Sequence, residues 1–137
     1  MSHHSEARLE TNLPSAKTLR EIERLAVELA TLAGAEITAA LGSMLSIRYK
    51  TAAAAGRFWQ DPVSEADSNV ERLIRAGVAA RFPDHGIIGE EFDGAPGSGD
   101  GYVWCVDPID GTVNFVNGFP LFACSIGALH YGRPVAA

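Results

Sequence analysis

Leu19, Ile22, Leu25, Ala26, Leu29, Leu32, Ala33, Ile37, Leu41 and Met44 recur every three or four positions, the spacing that lines one face of an α-helix. A helix from about Ser15 to Ser43 follows, and so long an apolar stripe has to be covered by other parts of the chain. Gly34 and Gly42 each weaken it by roughly 1 kcal/mol relative to alanine while letting a neighbour approach closely. Leu45 to Lys50 either extends the helix or forms a short strand, and Thr51 to Gln60, with Ala52 to Ala55 and Gly56, reads as a loop. Ser64 and Asp67 have the spacing of a capping pair, and Val70, Leu73, Ile74, Val78 and Phe82 continue the helical period. The expected second helix runs from about Ser64 to Phe82, with Asp67 in its first turn.

Beyond Pro83 the period changes. Ile87 to Gly89 forms a first short strand, Asp93 to Gly101 is a glycine-rich loop, and the aromatic and β-branched run Tyr102 to Val106 reads as a buried strand. Leu121 to His130 supplies another strand, Tyr131-Gly132-Arg133 a turn, and Pro134 to Ala137 the start of one more.

At 137 residues the chain suits one domain, here 15–137 behind a disordered terminus over 1–14. Eleven basic against seventeen acidic residues leave a net charge of −6 without a basic tract, so a nucleic-acid surface has no electrostatic footing. Met1 to Ser5 lacks the apolar core of a signal peptide, and no apolar run is read as reaching membrane-spanning length. A cytoplasmic protein is expected. Cys105 and Cys124 lie in apolar runs without metal-ligand spacing and read as packed thiols. His85 falls in a turn and His130 at a strand end, neither with a partner visible in sequence.

The chemistry concentrates in Asp107-Pro-Ile-Asp-Gly-Thr-Val-Asn-Phe115. Pro108 biases Asp107 toward extended geometry, and Gly111 permits a positive φ or a close backbone approach. Asp107 then stands at the carboxyl end of a strand, where sheet proteins commonly place ligands. Thr112 to Asn117 is expected as a short helix, with the Gly111 and Thr112 amides as free donors facing the carboxylates. Two neighbouring aspartates repel unless a cation or hydrogen bonds offset the charge, and hard oxygen ligands favour magnesium. Asp-Pro and Asp-Gly are also ordinary turn pairs; the whole string is more than turn chemistry requires.

The string resembles the metal-binding motif of the inositol monophosphatase family of magnesium-dependent phosphatases. Gly89-Glu90-Glu91 is similar to that family's glycine and paired glutamates, and Asp61-Pro62-Val63-Ser64-Glu65-Ala66-Asp67 to its Asp-x-Val-Thr-x-x-Asp segment, with serine in place of threonine. The likeness runs from about Thr18 to the last residue. It implies an α+β class, long helices packed on a mostly antiparallel sheet, as the amino-terminal portion of an α/β/α/β/α sugar-phosphatase fold, about half of a family member, without the later Trp-Asp motif.

Carried over, the resemblance implies a first magnesium held by Glu90, Asp107 and the Ile109 carbonyl. Asp107 and Asp110 would belong to a second, which lacks one ligand in this chain. Asp110, Gly111 and Thr112 would bind substrate, the two amides receiving phosphate. Thr112 paired with Asp67 resembles the family's water-activating dyad, with Glu90 a rival base, and Glu91 would orient a water or an outer shell of the metal. A loop lysine of the family has no clear counterpart, Lys50 being the nearest. The expected activity is a phosphomonoesterase acting on inositol monophosphate, with a bisphosphorylated nucleotide, histidinol phosphate and fructose bisphosphate as alternative substrates; the family also implies a homodimer. The alternative is a non-catalytic metal-binding or association fragment, with an exposed sheet edge where the last strand is cut.

Overall fold

The computed structural model describes residues 13–50 and 60–137, and the side chains of 13–43 and 65–137. The expected terminus before residue 13 and the loop over 51–59 lie outside the described residues. Helix α1 spans Ala16–Lys50 and helix α2 Gln60–Arg81; strands β1 (Gly86–Ile88) and β2 (Tyr102–Asp110) follow, then the short helix α3 (Thr112–Val116) and strands β3 (Ala123–His130) and β4 (Arg133–Ala136).

Ser15 caps α1: its hydroxyl accepts from the Thr18 amide at 3.1 Å, satisfying one of the donors that open a helix. Leu45 to Lys50, open between helix and strand in the sequence, continue the helix. Ile22, Leu25, Leu29, Ala33 and Ile37 of the stripe are buried, and α1 packs on α2 and on β3 and β4. Each large aliphatic side chain so buried contributes roughly 1.5–3 kcal/mol. One expectation needs correction here: Ala16–Ser43 is long and apolar enough, by length and composition alone, to cross a membrane, with a mean hydropathy of 1.4 over an 18-residue window. Its many alanines raise that mean, and its strongest apolar face is used against protein.

The second helix also departs from expectation. It begins at Gln60, not Ser64, so Asp67 lies about two turns inside it and the Ser64–Asp67 pair does not mark its start. The reason is Pro62, whose fixed φ suits a helix and whose missing amide costs nothing in a first turn. Val70, Ile74 and Val78 are buried as the period requires.

The sheet has order β1-β2-β3-β4. β1 runs parallel to β2, and the β2–β3 and β3–β4 pairs are antiparallel, so the sheet is mostly antiparallel as expected. Trp104 pairs with Ala128 and Val106 with Ile126; all four are buried and join the helices in one core. The β1 segment is Gly86–Ile88 rather than 87–89, and an isolated bridge from Ile87 to Ala95 ties down its following loop. β2 does not stop at Val106 but runs through Asp107 to Asp110, with a register irregularity between the two aspartates.

His85 has a partner that the sequence did not reveal. Trp104, fully buried, donates its indole N–H to His85 Nδ1 at 3.0 Å, and the imidazole stacks between Phe82 and Tyr102. Cys105 and Cys124 are free, half-buried thiols, and burial followed by the nearby charge of Asp107 pushes the Cys124 thiol up to about 11.

Candidate functional site

The parallel register places Ile88 beside Cys105, and two residues further along each chain stand Glu90 and Asp107. That register decides the site. A parallel pair carries both strands' carboxyl ends to the same side, so two acidic residues distant in sequence become neighbours. The Asp107 charge, first among several causes, raises the Glu90 carboxyl above its ordinary value. Among the described residues, Asp107 Oδ1 is buried without a partner. A buried carboxylate oxygen without a donor is costly unless something positive meets it.

Asp67 reaches the same cluster from α2. It is 7% exposed, and burial, then the charges of Glu91, Asp107, Glu90 and Glu71, push its carboxyl up to about 6. A carboxyl in that range exchanges protons near neutral pH, as a general base must.

The turn after β2 meets the demand read from Gly111. Its φ is +88°, and a Cβ there would stand 3.0 Å from the Leu121 carbonyl oxygen. Glycine therefore answers both a left-handed backbone and a close approach. Phe115, fully buried, packs edge-on against Phe122 and anchors α3 in the core. The Thr112 hydroxyl donates to the Ile109 carbonyl at 3.0 Å rather than to Asp67, so the expected Thr112–Asp67 pairing is not formed. The reason is local: the turn brings the Ile109 oxygen to the hydroxyl, whereas Asp67 sits on another element. Asp110 is exposed and lines an open cleft of about 640 Å³ between α1 and β3–β4, with Glu23, Val27 and Ser125 among its walls.

Glu71 was not singled out in the sequence. It is fully buried and accepts from the Glu91 amide at 3.1 Å, the Phe92 amide at 3.0 Å and Arg75 Nε at 3.2 Å. The signal was a charged residue one turn after Asp67, on the stripe of Val70, Ile74 and Val78, where an apolar residue is the rule. The Asp61 and Ser64 side chains, and that of Lys50, lie outside the described residues.

Among the described residues, no three His, Cys, Asp or Glu side chains are gathered tightly enough to hold a metal by themselves. The donor set implied for a first magnesium needs only two carboxylates and a carbonyl. It fits what is present: the abutting Glu90 and Asp107, the unpartnered Asp107 oxygen, and Ile109, whose carbonyl takes one hydroxyl and retains a lone pair.

The model of the inositol monophosphatase family matches residues 18–137. The chain belongs to the inositol monophosphatase family. It is 43% identical over 111 residues to inositol monophosphatase 1 of Xenopus laevis, which covers 77% of this chain and 37% of that protein. It is 53% identical over 76 residues to a histidinol-phosphatase of Chlorobaculum parvum, covering 52% of this chain and 29% of the relative. The fold is similar to that of the inositol monophosphatase from Anabaena, with a TM-score of 0.67 and 29% identity over 85% of this chain and 38% of the other. This family member thus spans about a third of the length of the relatives it matches.

Proposed function

We propose that this chain forms the acidic half of the site of a magnesium-dependent phosphomonoesterase acting on a small alcohol phosphate, inositol monophosphate foremost. The buried, unpartnered Asp107 oxygen beside Glu90 carries the reading. Glu90, Asp107 and the Ile109 carbonyl would hold one cation, with Asp110 toward a second. When bound, the metal supplies Lewis-acid polarisation of the phosphoryl group and of water. Asp67, raised to about 6, accepts a proton from water. The Gly111 and Thr112 amides, at the start of α3, orient phosphate oxygens. With its proton committed to Ile109, the Thr112 hydroxyl is left as an acceptor for water. Glu91, whose charge contributes most among the acids raising Asp67, tunes that base.

A relative named for histidinol phosphate keeps that substrate as an alternative. The test is phosphate release from inositol 1-phosphate and histidinol phosphate by a chimera in which this chain replaces the matching part of a full-length relative. Magnesium-dependent turnover that Asp107→Asn abolishes supports the proposal; metal-independent turnover, or a fully active Asp107→Asn, refutes it.

The second reading is a metal-binding or association module without turnover of its own. Calorimetric magnesium titration of the 137-residue chain beside a phosphatase assay separates the two. Turnover by this chain alone would exclude the inert fragment.

A further inference from the structure

Glu90 is exposed, and the strand before it is three residues long, so little in β1 itself fixes where its carboxylate stands. The backbone around it is held from beneath by one side chain. Glu71 Oε1 accepts from the Glu91 amide and Oε2 from the Phe92 amide. Arg75 closes the clamp, donating from Nε to Glu71 at 3.2 Å and from Nη2 to the Phe92 carbonyl at 3.1 Å, while Arg72 and Arg75 lie over the Phe92 ring. On the other side of Glu90, a Cβ on Gly89 would overlap the Glu71 carboxylate. Residues 89, 91 and 92 thus all rest on Glu71, and Glu90 is the residue between them.

We propose that Glu71 is a positioning residue: through the backbone of residues 89–92 it sets the Glu90 carboxylate opposite Asp107, and Gly89 is required so that its carboxylate can lie against that backbone. A buried negative charge inside an already acidic cluster is an expensive way to fasten a loop, since an apolar residue would fill the space without desolvating an ion. It is suited to fixing two consecutive amides, because a carboxylate offers two acceptor oxygens in one plane. Arg75 neutralises it, so its charge adds little to the repulsion between Glu90 and Asp107.

The inference rests on the proposed cation site, and its test separates the two. Magnesium affinity of the chain is measured by calorimetry for wild type, Glu71→Gln, Gly89→Ala and the double variant Gly89→Ala/Glu71→Asp, each at a temperature where circular dichroism shows it folded. Loss of an outer-shell partner lowers metal affinity about 10- to 100-fold, and that is the loss expected for Glu71→Gln and Gly89→Ala. The double variant, its shorter carboxylate drawn back from the new methyl group, regains part of it. A purely structural role lowers the melting temperature and leaves the affinity of the folded protein unchanged, and that outcome overturns the proposal. Independently of any cation, nuclear Overhauser contacts between the Glu90 and Asp107 side chains should be present in wild type and lost in Glu71→Gln. If wild type binds no magnesium, the functional reading falls, and the Overhauser contacts alone decide the role of Glu71: their persistence in Glu71→Gln refutes it.

Discussion

Asp67→Asn should stabilise this protein in the absence of metal, and only above a certain pH. Asp67 is 7% exposed and surrounded by Glu71, Glu90, Glu91 and Asp107, and its carboxyl titrates at about 6 in place of an ordinary 3.8. A shift of about two units corresponds to roughly 3 kcal/mol at about 1.4 kcal/mol per unit. The sign follows from proton binding. Between pH 4 and 6 the folded chain binds more protons than the unfolded one, so stability falls as pH rises through that window, and the loss is complete above about 6. Asparagine keeps the shape without the charge and brings donors toward the neighbouring carboxylates. Urea unfolding of both proteins in chelator, from pH 4 to 8, should show equal stability near pH 4 and an advantage of up to about 3 kcal/mol for Asp67→Asn above pH 6. An advantage that does not change with pH, or none at pH 8, would refute the picture of Asp67 as a charge held in place against electrostatic cost.

Three further outcomes follow from the same geometry. Gly111→Ala should lower stability by about 1–2 kcal/mol, since a non-glycine residue is strained at φ +88°; thermal unfolding reads it, and an unchanged melting temperature contradicts the stated conformation. Magnesium binding should weaken as pH falls, because the Glu90 carboxyl is raised above its ordinary value by the Asp107 charge and ligand carboxylates must be deprotonated, and Asp107→Asn should remove it; calorimetry at pH 5.5 and 7.5 checks both. Burial holds the His85 imidazole below its usual 6.5, so its contribution to stability is full above pH 6.5 and lost as pH falls through the lowered value. Protonation would also take the Nδ1 acceptor from Trp104. Proton NMR should find His85 titrating below 6.5 in wild type and closer to it in Trp104→Phe.

How far the residues themselves foretold the molecule depends on the range of the interaction. The stripe from Leu19 to Leu41, the Ser15 start of α1 and the left-handed Gly111 are local facts, written in periodicity, hydroxyl placement and the absence of a Cβ. The Asp107–Phe115 turn was legible for that reason, and three spaced motifs were enough to indicate the family and, with it, the α+β class. The start of α2 was misjudged because two starting signals compete there: a serine resembling a cap, and a proline that serves equally well inside the first turn.

Tertiary structure decided what no local pattern encodes. The parallel register of β1 on β2 brings Glu90 to Asp107, and packing strips water from Asp67 so that neighbouring charges act on it at short range. Glu71 stands out in the sequence only as a charge on an apolar stripe, and its use appears when the chain returns about twenty residues later and lays the Glu91 and Phe92 amides on its carboxylate. Thr112 took the nearby Ile109 carbonyl in place of Asp67 because the turn supplies that oxygen without help from another element. The sequence by itself determined which residues carry charge and where the backbone must bend. Only the fold determined which charges meet, because electrostatic coupling and desolvation depend on distance in space, and sheet register sets that distance.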